Sequence, residues 1–247
     1  MNLRGSAGLA AVADDKAIAF LRKKIVNWAR RHGRAYPWRS THDPFKVLMA
    51  EMMLRRTKAD QVKPVYEQLF REFPDLDAVA GAEDEKLQRM LSPLGLRWRL
   101  PAFAQVAREV KEKYGSKVPD KREELTGLAG VGDYVAGAVL SVAYGKKEWI
   151  VDSNIVRVFK RYFGMQTSKE GRRDRHVIET AKIYCSSKDP RRANLAILDF
   201  AAAVCIPRKP RCGACPLASK CSYYKTRSPG HAAVPSPPTS LTPQMSS

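Results

Sequence analysis

The sequence predicts an all-α fold. Three observations carry that reading: apolar residues recur with a helical period along most of the chain, proline and glycine fall between the periodic stretches, and no stretch sustains the alternation of a strand. Ala17, Phe20, Leu21, Ile25 and Trp28 form the first helical face, and Val47, Leu48, Met52 and Leu54 the second. Val62, Val65, Tyr66, Leu69 and Phe70 form the third. Further helices are expected over 83–91, 101–114, 121–128, 133–144, 152–163, 174–186 and 191–204, roughly ten in all. Pro74, Pro93, Gly95, Pro119, Gly164 and Pro190 separate these segments. Residues 1–14 show no period, and 226–247 are rich in Pro, Ser and Thr with no acid; both are expected to be disordered.

A chain of 247 residues, 44% hydrophobic, can bury a sizeable core without disulfides. Its 44 Lys and Arg against 25 Asp and Glu give a net charge of +19, which favours a polyanionic partner, nucleic acid first and an anionic membrane second. No apolar run approaches the roughly 20 residues that span a bilayer. The short stretch AGLAAVA (7–13) runs into Asp14 and Asp15, unlike a secretory leader. The expectation is a soluble, cytoplasmic protein.

Two features carry chemistry. In LAGVGDYVAGAVL (128–140) two helical patterns meet at a hairpin holding Gly130, Val131 and Gly132. Such a turn leaves backbone N–H groups uncovered at a helix N-terminus, where the dipole suits a phosphate oxygen; an ordinary interhelical turn reads the same way. Asp152 then opens the pattern 150–164, as an N-terminal acid would. The second feature is Cys205-x6-Cys212-x2-Cys215-x5-Cys221. Four thiolates this compact could hold zinc or a [4Fe–4S] cluster, and clustering in a reducing compartment points to a metal centre before disulfides. The fifth cysteine, Cys185, reads as a small buried residue.

A glycine hairpin, an aspartate about twenty residues later and this cysteine spacing together resemble the helix-hairpin-helix DNA glycosylases of the endonuclease III and adenine mismatch glycosylase kind, over roughly residues 15–225. The resemblance implies two helical domains flanking a DNA cleft. One comprises 15–31 with 151–225 and holds a [4Fe–4S] cluster on Cys205, Cys212, Cys215 and Cys221; the other is a helical barrel over 32–150. Ala129 departs from the pattern, because many members have proline before the first hairpin glycine. By the same resemblance Asp152 is the carboxylate that stabilises the oxocarbenium-like transition state at C1′ of an extruded nucleotide.

Members that also cut the strand carry lysine two residues after the second hairpin glycine; this chain has Tyr134, whose phenol is a poor nucleophile. Base removal without efficient strand scission is expected. Tyrosine there resembles thymine mismatch glycosylases, where the adenine branch has a small serine. Arg55-Arg56 agrees, standing where adenine enzymes have paired glutamines, with Arg56 placed at the vacated base position or against the orphaned guanine, though an arginine also suits phosphate. Glu51 would hydrogen-bond the flipped pyrimidine or position water; a structural salt bridge is the plain alternative. The loop LSPLGLRWR (91–99) resembles a DNA-probing wedge, with Leu96 inserting and Arg97 near the backbone; a routine turn with Leu96 in the core competes. No acid follows Asp199, while Arg208, Lys209, Arg211, Lys220, Lys225 and Arg227 surround the cysteines.

The expected function is therefore a monomeric G·T and G·U mismatch glycosylase acting on double-stranded DNA at the nucleoid. An adenine glycosylase and a non-catalytic iron–sulfur module that binds distorted duplex are the alternatives.

Overall fold

The computed structural model describes residues 11–95 and 97–227. Every regular element among the described residues is helical. Helices α1 (Asp15–His32), α2 (Pro37–Ser40), α3 (Pro44–Met53), α4 (Ala59–Glu72), α5 (Leu76–Ala80) and α6 (Asp84–Leu91) are followed by two single 3-10 turns and α7 (Pro101–Tyr114). The chain continues through α8 (Arg122–Thr126), α9 (Asp133–Val142), α10 (Ser153–Phe163), α11 (Arg175–Cys185), α12 (Pro190–Ala203), two further 3-10 turns and α13 (Ser222–Arg227).

The ends follow from local chemistry. Asp14 caps α1 by accepting from the Ala17 N–H at 2.9 Å, so it belongs to that helix rather than to the expected arm. Asp43 caps α3 through the N–H groups of Phe45 and Lys46, with Pro44 at the first helical position. Helix α13 runs through Arg227, which corrects the tail boundary expected at 226: after Cys221 the chain makes one more helical turn and a half. The rest of the expected arm and tail, residues 1–10 and 228–247, lies outside the described residues. Helices α2 and α5 were not expected, being one turn each and too short to show a period.

Apolar burial falls into two clusters. The first gathers α2 to α9 around residues such as Leu48, Met53, Leu69, Phe103 and Val139. The second joins α1 to α10, α11 and α12 through Ile18, Leu21, Phe159, Tyr184 and Phe200. Helix α9 serves both, since Val139 packs in the first and Ala138 in the second. Close approach makes this possible at Gly137, where an added Cβ would lie 2.1 Å from the Trp149 carbonyl oxygen. The segment leading to Asp152 thus crosses directly over α9. It is held there by Arg122, which donates to Glu148 at 2.7 Å and to the Trp149 carbonyl at 2.9 Å, and by Asn194, which donates to the Glu148 carbonyl.

Candidate active site

Three side chains from three helices meet where the two clusters join. Glu51 lies on α3 and is buried, at 4% exposure. Tyr134, in the first turn of α9, packs against both clusters. Asp152 caps α10: one carboxylate oxygen accepts from the N–H groups of Asn154 (2.9 Å) and Ile155 (2.8 Å), the other from the Asn154 side-chain amide (2.6 Å). The capping role read from the sequence is therefore real, and it fixes the carboxylate on a helix N-terminus rather than removing it from the site.

The electrostatics distinguish the three. Burial pushes the Glu51 carboxyl up to about 7; Arg39 and the neighbouring Tyr134 hydroxyl oppose the shift, and the Asp152 charge adds to it. Its Oε2 is buried with no hydrogen-bond partner. The Tyr134 phenol is held well above its ordinary value, by burial first and then by the charges of Glu51 and Asp152. A phenol in that state donates hydrogen bonds and does not supply a nucleophile. A buried carboxylate oxygen left without a partner carries a cost, and a strongly shifted group beside other titratable residues is a pattern found at functional sites.

Arg39 is the member that the sequence reading missed. It donates to Asp199 at 2.6 Å and lies near enough to Glu51 and Tyr134 to influence both, yet its Nε is buried without a partner. Asp199 is 2% exposed and also takes the Arg34 guanidinium at 2.7 Å. Nothing in the local sequence marks Arg39, because its partners come from residues 51, 134 and 199.

The expected DNA-facing residues divide. Arg55 is exposed and donates to the Gly130 carbonyl at 2.8 Å, joining the turn after α3 to the hairpin. Arg56 is exposed and has a φ of 59°, a left-handed conformation uncommon outside glycine. Arg97 is exposed, and Leu96 lies outside the described residues. Gly130 needs its freedom, having a φ of +73° and Met52 and Ala102 at 3.0–3.1 Å from any added Cβ. Gly132 caps α9 with no side-chain partner and open space around it, leaving that helix N-terminus accessible. Val131 has a buried side chain, and its N–H donates to the Leu128 carbonyl, closing the turn. Ala129 explains its own departure from proline, because its N–H donates to Glu109 at 3.0 Å, a bond proline cannot make.

The four cysteines of the last loop gather against α10. Arg161 donates to Cys205 Sγ at 3.6 Å, and the Cys221 thiol donates to the Arg161 carbonyl at 3.5 Å. Burial raises Cys215 to about 12 and also raises Cys221; charge on the neighbouring thiols pushes both the same way. Four thiols in one another's field would repel as thiolates unless a cationic centre lay among them, so the donor set fits a metal centre. Among the described residues no three His, Cys, Asp or Glu side chains form a group that could hold a metal ion. The six basic residues of this region are all exposed, and Cys185 is buried on α11.

A hydrogen-bonded path joins this loop to Asp152. Asn154 donates to Asp152 and accepts from Arg157, which donates in turn to the Cys205 carbonyl at 2.8 Å and the Ala201 carbonyl at 3.0 Å.

An all-helical chain with a glycine hairpin between α8 and α9 and a capped aspartate at the next helix defines a class. The chain belongs to the HhH-GPD superfamily of base excision DNA repair proteins, whose model matches residues 49–190. Within it, the chain is 36% identical to a thymine-DNA glycosylase of Aeropyrum pernix over 85% of its own length and 97% of that protein. It is 36% identical to a thymine/uracil-DNA glycosylase of Methanothermobacter thermautotrophicus, covering 81% and 91% respectively. The solved structure of a thermostable thymine-DNA glycosylase superimposes with a TM-score of 0.79 at 33% identity, over 86% of this chain and 98% of that one. Several adenine DNA glycosylases match at 27–30% identity.

Proposed function

We propose that this protein is a monofunctional DNA glycosylase that removes thymine, and uracil, mispaired with guanine by hydrolysing the N-glycosidic bond. The observation that carries the reading is the grouping of Asp152, Glu51 and a protonated Tyr134 where the two clusters meet, with a phenol in place of an amine. Leaving of the base builds positive charge at C1′, and the Asp152 carboxylate, held by three donors, stabilises that charge without having to reorganise. Glu51, near neutrality, accepts a proton from the attacking water when ionised. Tyr134 donates a hydrogen bond and forms no Schiff base, so the strand stays intact. Higher identity to the thymine and uracil enzymes than to the adenine enzymes favours the pyrimidine branch.

The two clusters act as domains on either side of a double-stranded DNA cleft, and the protein works as a monomer at the nucleoid; no described helix is long and apolar enough to cross a membrane. Cys205, Cys212, Cys215 and Cys221 hold a [4Fe–4S] cluster, which ties down a strongly basic loop for phosphate contact. Duplexes carrying T·G, U·G or A·8-oxoguanine, incubated and then treated with hot alkali, test the reading. Cutting at T·G and U·G is expected, and cutting at adenine alone overturns it. Iron analysis of the purified protein should give about four irons per chain; zinc instead would refute the cluster.

A further inference from the structure

The loop between α6 and α7 exposes a tryptophan that nothing above uses. Trp98 is 69% exposed, and among the described residues the only other exposed large hydrophobic is Val12. An indole left in water forgoes a large apolar burial, and its neighbours show that the position is built rather than loose. Leu94 (5% exposed), Arg99 (4%) and Leu100 (3%) are buried on either side, so Trp98 projects from a short leash with two anchors.

Arg99 is the stronger anchor. Its guanidinium donates to the carbonyls of Met52, Met53 and Arg55, to Thr57 Oγ1 at 2.9 Å and to the Leu94 carbonyl at 3.3 Å. Thr57 also donates to the Leu94 carbonyl, at 3.1 Å. One buried cation thus fastens the Trp98 loop to the turn carrying Arg55 and Arg56, and Arg55 fastens that turn to the hairpin at Gly130. Within the 3-10 turn Arg97–Arg99, successive side chains point about 120° apart. Arg99 turns inward, and Arg97 and Trp98 turn outward beside the Arg55–Arg56 turn.

We propose that Trp98 is a DNA-contacting residue that stacks on a base exposed by the distorted duplex, with Arg97 beside it on a phosphate. Aromatic faces stack on any base, and a cation alongside supplies the backbone contact. The proposal rests on the DNA glycosylase reading. It adds a stacking platform next to the hairpin and the arginine turn.

Binding by the full chain to a duplex with an abasic-site analogue opposite guanine, measured over a range of salt, tests it. W98A should bind roughly tenfold more weakly while W98F keeps most of the affinity. The plot of log affinity against log salt should keep its slope in W98A and flatten by about one unit in R97A. Titrating wild type with the duplex should quench an emission component that is lost in W98A. Circular dichroism checks that all three variants fold. If wild type excises thymine and binds the duplex but W98A matches it, or W98F falls as far as W98A, this inference is wrong and the glycosylase reading stands. If wild type neither binds nor excises, that reading fails and takes the inference with it.

Discussion

Glu51 near the end of α3 and Asp152 at the start of α10 carry the same functional group in opposite surroundings. Asp152 accepts three hydrogen bonds from the first turn of its own helix, two of them from backbone N–H groups. Glu51 is buried with one oxygen unpartnered, and burial brings its carboxyl to about 7. One acid is fixed in place by its backbone. The other is left able to exchange a proton near neutral pH. Two carboxyl groups in unlike environments can divide a hydrolysis between charge stabilisation and proton transfer.

The comparison breaks most sharply at Asp152. Asp152→Asn should slow excision about a thousandfold in single-turnover assays while duplex binding persists; an unchanged rate would remove Asp152 from the chemistry. Glu51→Gln should cost about a hundredfold. The wild-type rate should rise with pH through about 7, and that inflection should vanish in the variant. The same residue makes a stability prediction of definite sign. A folded carboxyl raised from 4.5 to about 7 binds its proton more tightly than in the unfolded chain. Its contribution therefore favours folding below the unfolded value and falls as pH rises through the window from 4.5 to about 7, by roughly 3 kcal/mol at most. Denaturant midpoints of wild type and Glu51→Gln should converge at low pH and diverge, in favour of the variant, by neutral pH.

Smaller changes sharpen the contrast. Asn154→Ala removes the donor to one Asp152 oxygen and the acceptor for Arg157, and should lower the rate constant about tenfold with little change in substrate affinity. A purely structural role for Asn154 would move the melting temperature and leave the rate alone. Tyr134→Lys places an amine between the two acids, and a small fraction of covalent adduct should become trappable with borohydride. No adduct at all would put that side chain out of reach of C1′.

The two ends of the site also differ in how legible they were. The order Gly130, Gly132, Asp152 and the four-cysteine spacing are local patterns in the sequence, and the helical periods located most helices because each apolar stripe is written in neighbouring residues. Helices of a single turn, α2 and α5, left no such period. That the Val131 N–H closes the hairpin left no local mark, because a place in the hairpin says nothing about which N–H is used.

Residue identity alone determined an α-helical chain, a strong net positive charge, a tyrosine two residues after the second hairpin glycine, and four thiols within one short stretch. Only the tertiary structure decided that Asp199 holds Arg39 close to Glu51 and Tyr134, that Gly137 lets the Asp152 segment cross α9, and that Arg99 and Arg55 together link three surface turns. The reason is physical. Period and capping act over a few bonds along the chain, whereas burial and shared electric fields depend on groups that folding brings together from far apart.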